Sequence, residues 1–321
     1  MNPIDLTYPG YSQPTNFYLA GGFGQFNIYK EIILLAENFP ILKDNAKIAG
    51  VYGAPPMAIW NGGRTEHINQ PMSFKDCEYV SHFYNDVGVK FRLTFTNPLL
   101  KKADFHDVFC NELLKIFANQ GHEVIIHNTD LQKYIEDKYP DAFTFVSSTT
   151  KPITKKVVEE LKKPYSMVVL NYNLNHDMDF LKTIPEEDRG RVELLANEWC
   201  CANCPNRAMH YKTIGNEILF NRNPAIKSSE EIEAACPRFN SLVVDGKMLT
   251  DEDWFTKTNY IYNNQINNYL DLGFNNFKLA GRNEPGERNI PRLFEYILNY
   301  DYFYKLGEQL YEVCHAPITN N

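Results

Sequence analysis

The sequence predicts a (β/α)8 barrel of the TIM type, an α/β fold built as a single domain. Eight short runs of β-branched or aromatic residues recur along the 321 residues, and stretches of amphipathic, helix-like pattern lie between them. This alternation is typical of a parallel sheet wrapped by helices. No internal repeat and no linker rich in Pro, Gly or Ser marks a second domain.

Each predicted strand is a run of five to seven residues that ends in a polar segment. The eight strands lie at 47–52, 90–96, 123–127, 143–147, 166–171, 191–196, 241–245 and 276–280. Helices are predicted at 26–38, 76–86, 104–119, 129–138, 151–163, 176–182, 204–214, 251–272 and 289–312. Residues 1–25 are expected to form an N-terminal extension, 26–300 the barrel, and 301–321 a C-terminal helix and tail.

The amino-acid composition and charge limit the classes of protein to which this chain can belong. The hydrophobic content of 44% is that of a chain with a substantial core, and the formal net charge of −8 argues against a surface devoted to nucleic-acid phosphates. No run approaches the roughly 18 apolar residues needed to span a bilayer, and the first residues lack the pattern of a signal peptide. We expect a cytoplasmic protein that does not enter membranes and for which nucleic acid is a disfavoured partner.

Cysteine placement points to metal or redox chemistry. Three of the seven cysteines fall within five residues, at Cys200, Cys201 and Cys204. Such a cluster in a chain without a secretion signal does not read as a disulfide framework. The other four are Cys77, Cys110, Cys236 and Cys314.

The cysteine segment follows the sixth predicted strand and opens the next helix. Pro205 fits the first helical position, which would place Cys204 at the helix entrance, where unpaired N–H groups stabilise a thiolate. Cys200, Cys204 and Cys236 are predicted to bind an iron–sulfur cluster, with Cys201 as candidate for the fourth ligand. A zinc site of Cys201, Cys204, Cys236 and His210 is the alternative, and inert or merely redox-sensitive cysteines are a third interpretation.

Catalytic candidates come from the same segment. Arg207 and His210 lie three residues apart, hence on one helix face, with Tyr211 beside them. We expect Glu198 or His210 to move protons and Arg207 to contact the ligand; a surface arginine and a structural histidine are the alternative. His127, at the end of a predicted strand, is read more readily as a structural residue than as an acid, base or ligand.

Substrate-binding candidates are the polar residues that follow the first and eighth predicted strands. Chemistry in such barrels lies at the carboxyl ends of the strands, so Tyr52, Arg64, Lys278 and Arg282 are expected to line the pocket. The positive charges of Arg64, Lys278 and Arg282 indicate a substrate that carries a carboxylate or phosphate. The alternative is that Lys278 and Arg282 pair with structural carboxylates such as Glu198 or Glu284. The Gly21–Gly24 segment (GGFG) is read as a plain turn, because no strand is predicted before it and the last glycine of a phosphate-binding GxGxxG motif is missing.

The chain resembles the U32 peptidase-like family, whose barrel proteins include oxygen-independent hydroxylation factors of ubiquinone biosynthesis and of RNA modification. The resemblance rests on VYG at 51–53 with GGR at 62–64, on the segment from Asn197 to Tyr211, and on DLGFNNFKLAGR at 271–282. It implies that Cys200, Cys204 and Cys236 hold a [4Fe–4S] cluster and that Arg64, Lys278 and Arg282 line the pocket.

By this resemblance the function is oxygen-independent hydroxylation, or a related redox reaction, of an anionic small molecule or nucleoside, with a protein partner or electron donor supplying electrons. Two alternatives stay open. One is a zinc-dependent hydrolase or peptidase, although the sequence has no HExxH motif. The other is a cluster-bearing accessory subunit of a larger complex.

Overall fold

The computed structural model describes residues 5–66, 68, 72–151, 153–236, 243–244, 247–248, 254–281 and 286–300. Eight parallel strands close into a barrel, which confirms the predicted fold class. In chain order the barrel strands are β1 (Gly10–Ala20), β2 (Asp44–Gly53), β3 (Lys90–Phe95), β4 (Glu123–Ile126), β5 (Thr144–Ser147), β6 (Tyr165–Val169), β7 (Val192–Leu195) and β10 (Asn276–Leu279). Strands β8 (Val243–Val244) and β9 (Lys247–Met248) form a separate antiparallel pair.

Two strand predictions were wrong. The barrel begins at Gly10, so the segment read as an N-terminal extension contains β1, which pairs with both β2 and β10. The run at 241–245 is not a barrel strand, since its described part belongs to the β8–β9 pair. The count of eight was right because one strand was missed and another was wrongly added, and the strand before the cysteine segment is the seventh of the barrel.

Helices surround the barrel. They are α1 (Phe26–Asn38), α2 (Phe74–Asp86), α3 (Val108–Phe117), α4 (Thr129–Lys138), α5 (Val157–Leu161), α6 (Met178–Lys182), α7 (Glu186–Arg189), α8 (Arg207–Ile218), α9 (Ser229–Ala234), α10 (Ile266–Leu270) and α11 (Gly286–Tyr296). Polar side chains cap the N-termini of several helices. Ser73, Asp107 and Asn128 each accept a hydrogen bond from a backbone N–H of the helix that follows. The helix expected at 251–272 is largely turns before α10.

The hydrophobic core has two parts. The larger lies between the strands and the helices, with Phe17, Phe91 and Phe277 fully buried in it. The smaller fills the barrel interior with Tyr18, Tyr52, Ile125, Val146, Met167 and Val169 together with Ala20. Side chains therefore close the barrel centre and leave its carboxyl end as the place for a site. Within the residues described, no helix has both the length and the apolar character needed to cross a bilayer.

Candidate functional site

A cavity of about 100 Å³ opens at the carboxyl ends of the barrel strands. Its walls come from strand ends, from the loop after β2, from the loop after β5 and from the first turns of α8. The lining residues are Tyr52, Arg64, Thr94, Thr96, Ile125, Ser148, Thr149, Thr150, Leu195, Glu198, Cys200, Arg207, His210, Tyr211, Ile214, Lys278, Ala280 and Gly281. Most of the described site candidates thus surround one cavity, whereas Cys201, Cys204 and Cys236 do not line it.

The cysteine segment makes a tight turn between β7 and α8. The N–H of Cys204 donates to the carbonyl of Cys201 at 3.2 Å, and Asn203 between them has a left-handed φ of +53°. Helix α8 begins at Arg207, two residues later than expected, so Pro205 lies in the turn and not at the first helical position. The N–H of Asn206 nevertheless hydrogen-bonds the Cys204 sulfur, as expected for a thiol near a helix entrance.

Three thiols meet in this turn. The sulfur of Cys204 accepts hydrogen bonds from the thiols of Cys200 and Cys201. The bond from Cys200 is the main reason that the pKa of Cys204 is lowered, and the same bond, followed by burial, raises the pKa of Cys200. Burial, followed by the proximity of Cys204, raises the pKa of Cys201. Cys204 thus links the three thiols of the turn.

Thiols in one turn do not by themselves make a metal site, because the ligand side chains must converge on one point. Among the residues that the structure describes, no three His, Cys, Asp or Glu side chains converge as they would around a bound ion. Cys236 lies just after α9, beside the 237–240 segment that is outside the described residues. Cys77 and Cys110 are buried within α2 and α3, far along the chain from this turn.

Glu198 and Arg207 form an ion pair at the pocket wall. Arg207 Nη2 lies 2.6 Å from Glu198 Oε2, and Glu198 Oε1 accepts the Cys200 N–H at 3.0 Å. Burial alone would raise the pKa of Glu198, but the charge and hydrogen bond of Arg207 hold it at about 2. A carboxyl with that pKa is a poor proton donor near neutrality, so Glu198 orients Arg207 and the cysteine turn.

His210 lines the same wall, one helical turn after Arg207. Burial, with the charges of Arg64 and Arg207, lowers the pKa of His210, which leaves a neutral imidazole near pH 7. Tyr211 beside it hydrogen-bonds Thr149 and contacts the Arg207 guanidinium through its ring. Of the residues expected to move protons, His210 is the one whose state suits the task.

The predicted substrate-binding residues occupy two strands and a loop. Lys278 on β10 lies with its Nζ 4.1 Å from the centre of the Tyr52 ring, and Arg64 follows β2. Since β1 runs between β2 and β10, these strands are not neighbours as expected, yet Arg64 and Lys278 still line the same cavity. Arg282 and Glu284 lie outside the described residues.

A buried ionic network beneath the pocket was missed by sequence reasoning. Arg92 on β3 is within 2.7 Å of Glu123 on β4, and its guanidinium also pairs with Glu193 on β7. Lys278 Nζ lies 3.6 Å from the second oxygen of Glu193. All four side chains are at most 5% exposed. In the sequence, the sign of this network was that charged residues stand within otherwise apolar strands.

The loop after β5 carries a chain of hydroxyl groups, of which Thr150 was missed by sequence reasoning. His127 Nδ1 lies 2.7 Å from Thr150 Oγ1, which lies 2.7 Å from Ser148 Oγ. Thr150 and Ser148 line the cavity, whereas His127 does not. Burial, followed by the charge of Lys151, lowers the pKa of His127, so this histidine is neutral and braces the loop after β5.

The glycine turn at 21–24 binds a carboxylate of the chain itself. The N–H groups of Phe23 and Gly24 donate to Glu66 Oε2 at 3.0 and 2.6 Å. Glu66 also crosses Gly53 so closely that a Cβ on Gly53 would lie 1.4 Å from Glu66 Oε1. The turn is therefore structural, as the sequence indicated.

The sequence matches no protein-family model, and no curated protein is similar enough to count as a relative. Among solved structures, the structure of the U32 peptidase Mk0906 is similar to 85% of this chain and to 94% of its own chain. The two share 13% sequence identity with a TM-score of 0.42. A likeness of this extent assigns neither a family nor an activity to this chain.

Proposed function

We propose that this chain is an enzyme that uses an iron–sulfur centre, held by Cys200, Cys201, Cys204 and Cys236, for redox chemistry on a small anionic molecule. The observation that carries the proposal is the turn that holds Cys200, Cys201 and Cys204 together, closed by the Cys204 N–H on the Cys201 carbonyl, with Cys200 itself lining the pocket. Oxygen-independent hydroxylation is the form of this chemistry that the family resemblance implies.

The donor set suits such a centre in the kind and number of its residues, though, among the described residues, their side chains do not converge as they would around a bound metal. A [4Fe–4S] cluster takes four thiolates; the turn would supply three of them, and Cys236, just after α9, would supply the fourth. The Asn206 N–H and the Cys204 sulfur already form the type of contact that stabilises a bound thiolate. When bound, the cluster would supply one-electron transfer at the pocket wall.

An anionic substrate is supported by the charges along the pocket. The described wall carries three cationic side chains, Arg64, Arg207 and Lys278, and one carboxylate, Glu198. The described wall thus carries more cationic than anionic side chains, which favours an anion, and the small cavity favours a molecule or group of modest size.

The chain's own residues would bind the substrate and move its protons. Arg64 and Lys278 would hold the anionic part, while neutral His210 would accept or return a proton. Ile125, Leu195 and Ile214 supply the apolar wall that limits water around the reacting group.

Zinc is the second candidate, because thiolate and imidazole are its usual ligands and His210 lies in the first turns of α8, directly after the cysteine turn. With zinc, the pocket would suit hydrolysis of an anionic substrate.

The experiment is anaerobic purification followed by quantification of iron, sulfide and zinc per chain. Iron with equal sulfide, lost in Cys204→Ser and retained in Cys110→Ser, is the expected result; Cys110 is a matched control because it is a buried thiol outside the turn. Stoichiometric zinc would shift the assignment to the second candidate. A chain without either metal, in both the purified and the reconstituted state, would contradict the proposed function.

A further inference from the structure

Tyr172 lies where the cysteine turn meets the pocket wall. It begins the short 3-10 turn Tyr172–Leu174 after β6, the strand next to β7 in the barrel. Its side chain is buried, with 3% of the residue exposed. No motif in the sequence singles it out.

The Tyr172 hydroxyl spans the cysteine turn. It donates to the carbonyl oxygen of Cys201 at 2.9 Å and accepts the N–H of Cys204 at 3.4 Å. These are the two residues whose backbones close the turn, and their side chains are two of the three thiols in contact. One hydroxyl therefore fixes the separation of Cys201 and Cys204.

The Tyr172 ring contacts the pocket. The guanidinium of Arg207 lies 4.3 Å from the ring centre, and Arg207 pairs with Glu198 at 2.6 Å. Glu198 in turn accepts the N–H of Cys200. The contacts thus run from the backbone of the cysteine turn through Tyr172 and Arg207 to Glu198, and back to the backbone of Cys200.

Other contacts keep the turn attached to the barrel. Asn173 Oδ1 accepts the Asn203 N–H at 2.8 Å, and the Ala202 N–H donates to the carbonyl of Lys257 at 2.8 Å. Loss of the Tyr172 hydroxyl alone is therefore expected to change the spacing of the thiols without releasing the turn.

We propose that Tyr172 is a positioning residue that sets the spacing of the cysteine thiols and couples it to the Arg207–Glu198 pair of the pocket. The meaning of this coupling for catalysis rests on the proposed function. The effect of Tyr172 on the spacing of the thiols does not rest on that function, because the spacing can be measured on the metal-free protein.

The test uses phenylarsine oxide, a trivalent arsenical that bridges two thiols held close together, on the reduced and metal-free chain. Tyr172→Phe keeps the ring and removes both hydrogen bonds, so the apparent affinity for the arsenical should fall about tenfold. Tyr165→Phe, at the start of the strand β6 that precedes Tyr172, should bind as the wild type does. Cys204→Ser should abolish the tight binding and so identify the thiols to which the arsenical binds.

A double-mutant cycle measures the coupling. Tyr172→Leu removes the ring under Arg207, and Glu198→Gln removes the partner of Arg207; if the contacts act as one unit, their effects on arsenical affinity will be non-additive. Additive effects, or unchanged binding by Tyr172→Phe, would overturn the proposal. A chain that binds no iron or zinc but shows this pattern would refute the proposed function alone.

Discussion

At the scale of single residues, the ion pairs inside the barrel should govern stability. Arg92 is 1% exposed and neutralises two buried carboxylates, Glu123 and Glu193. Arg92→Met would leave both negative charges without their main partner, so the free energy of unfolding should fall by about 3–5 kcal/mol. Lys90→Met is the control, because Lys90 bonds the same Glu123 from a half-exposed position and should lower stability by less than about 1 kcal/mol. Urea denaturation measures both, and equal effects would contradict this account.

Glu123 should also give the fold a specific sensitivity to acid. Burial tends to raise the pKa of Glu123, but Arg92 and Lys90 lower it to about 2. A depressed pKa stabilises the folded state above the unfolded value, and this stabilisation is lost as the pH falls from about 5 towards 2.

For one carboxyl with this shift the loss is about 3 kcal/mol. Glu123→Gln should therefore be less stable than the wild type at neutral pH, and the difference should shrink in acid. Unfolding curves across this range measure the effect, with the exposed Glu37→Gln as control. A difference that stays constant with pH would contradict the assignment.

The sequence identified much of the site but not its polar surroundings. Residue types and their position after strands were sufficient to select Tyr52, Arg64, Glu198, Cys200, Arg207, His210 and Lys278, all of which line the cavity. Arg92 and Tyr172 were missed because their roles depend on partners in other strands, which one-dimensional spacing does not reveal. Glu198 was expected to move protons, and only the pairing with Arg207 shows it to be held as an anion.

At the scale of elements, the loop after β2 depends on close backbone approach. A Cβ on Gly62 would lie 2.2 Å from the backbone of Thr96, at the end of β3, where neither segment can give way easily. Gly62→Ala should therefore displace the loop that carries Arg64 and lower the melting temperature strongly.

Gly190→Ala is the matched control for this loop. A Cβ there meets no atom within 4 Å, and the backbone φ of −65° suits alanine. Differential scanning calorimetry should find Gly190→Ala close to the wild type. Equal melting temperatures for Gly62→Ala and Gly190→Ala would show that the close approach at Gly62 is unimportant.

The strands differ in how well local sequence predicts them. The runs that became β2 to β7 and β10 are rich in β-branched and aromatic residues, so pattern alone found them. β1 contains Pro14 and the polar residues around it, and its pairing with β2 shifts register between Gly10 and Thr15. Its strand state is imposed by pairing with β2 and β10 on both sides, which local propensity cannot anticipate.

At the scale of the whole molecule, β1 closes the barrel, because it pairs with β2 on one side and with β10 on the other. Deletion of residues 10–24 would expose the edges of β2 and β10 and remove the fully buried Phe17 from the core. The shortened chain should lose cooperative unfolding and aggregate. Size-exclusion chromatography and circular dichroism measure this, and a monomer with a cooperative transition would contradict the closed barrel.

The alternation of strands and helices made the closed barrel predictable, whereas the proposed metal centre depends on an occupant that the amino-acid sequence does not encode. Native mass spectrometry of the intact chain, purified without oxygen, tests the central claim most directly. We predict one species heavier than the bare chain by four irons and four sulfides, which reverts to the bare mass in Cys204→Ser. A bare chain in the wild type, or an unchanged mass increment in Cys204→Ser, would contradict the assignment of these thiols.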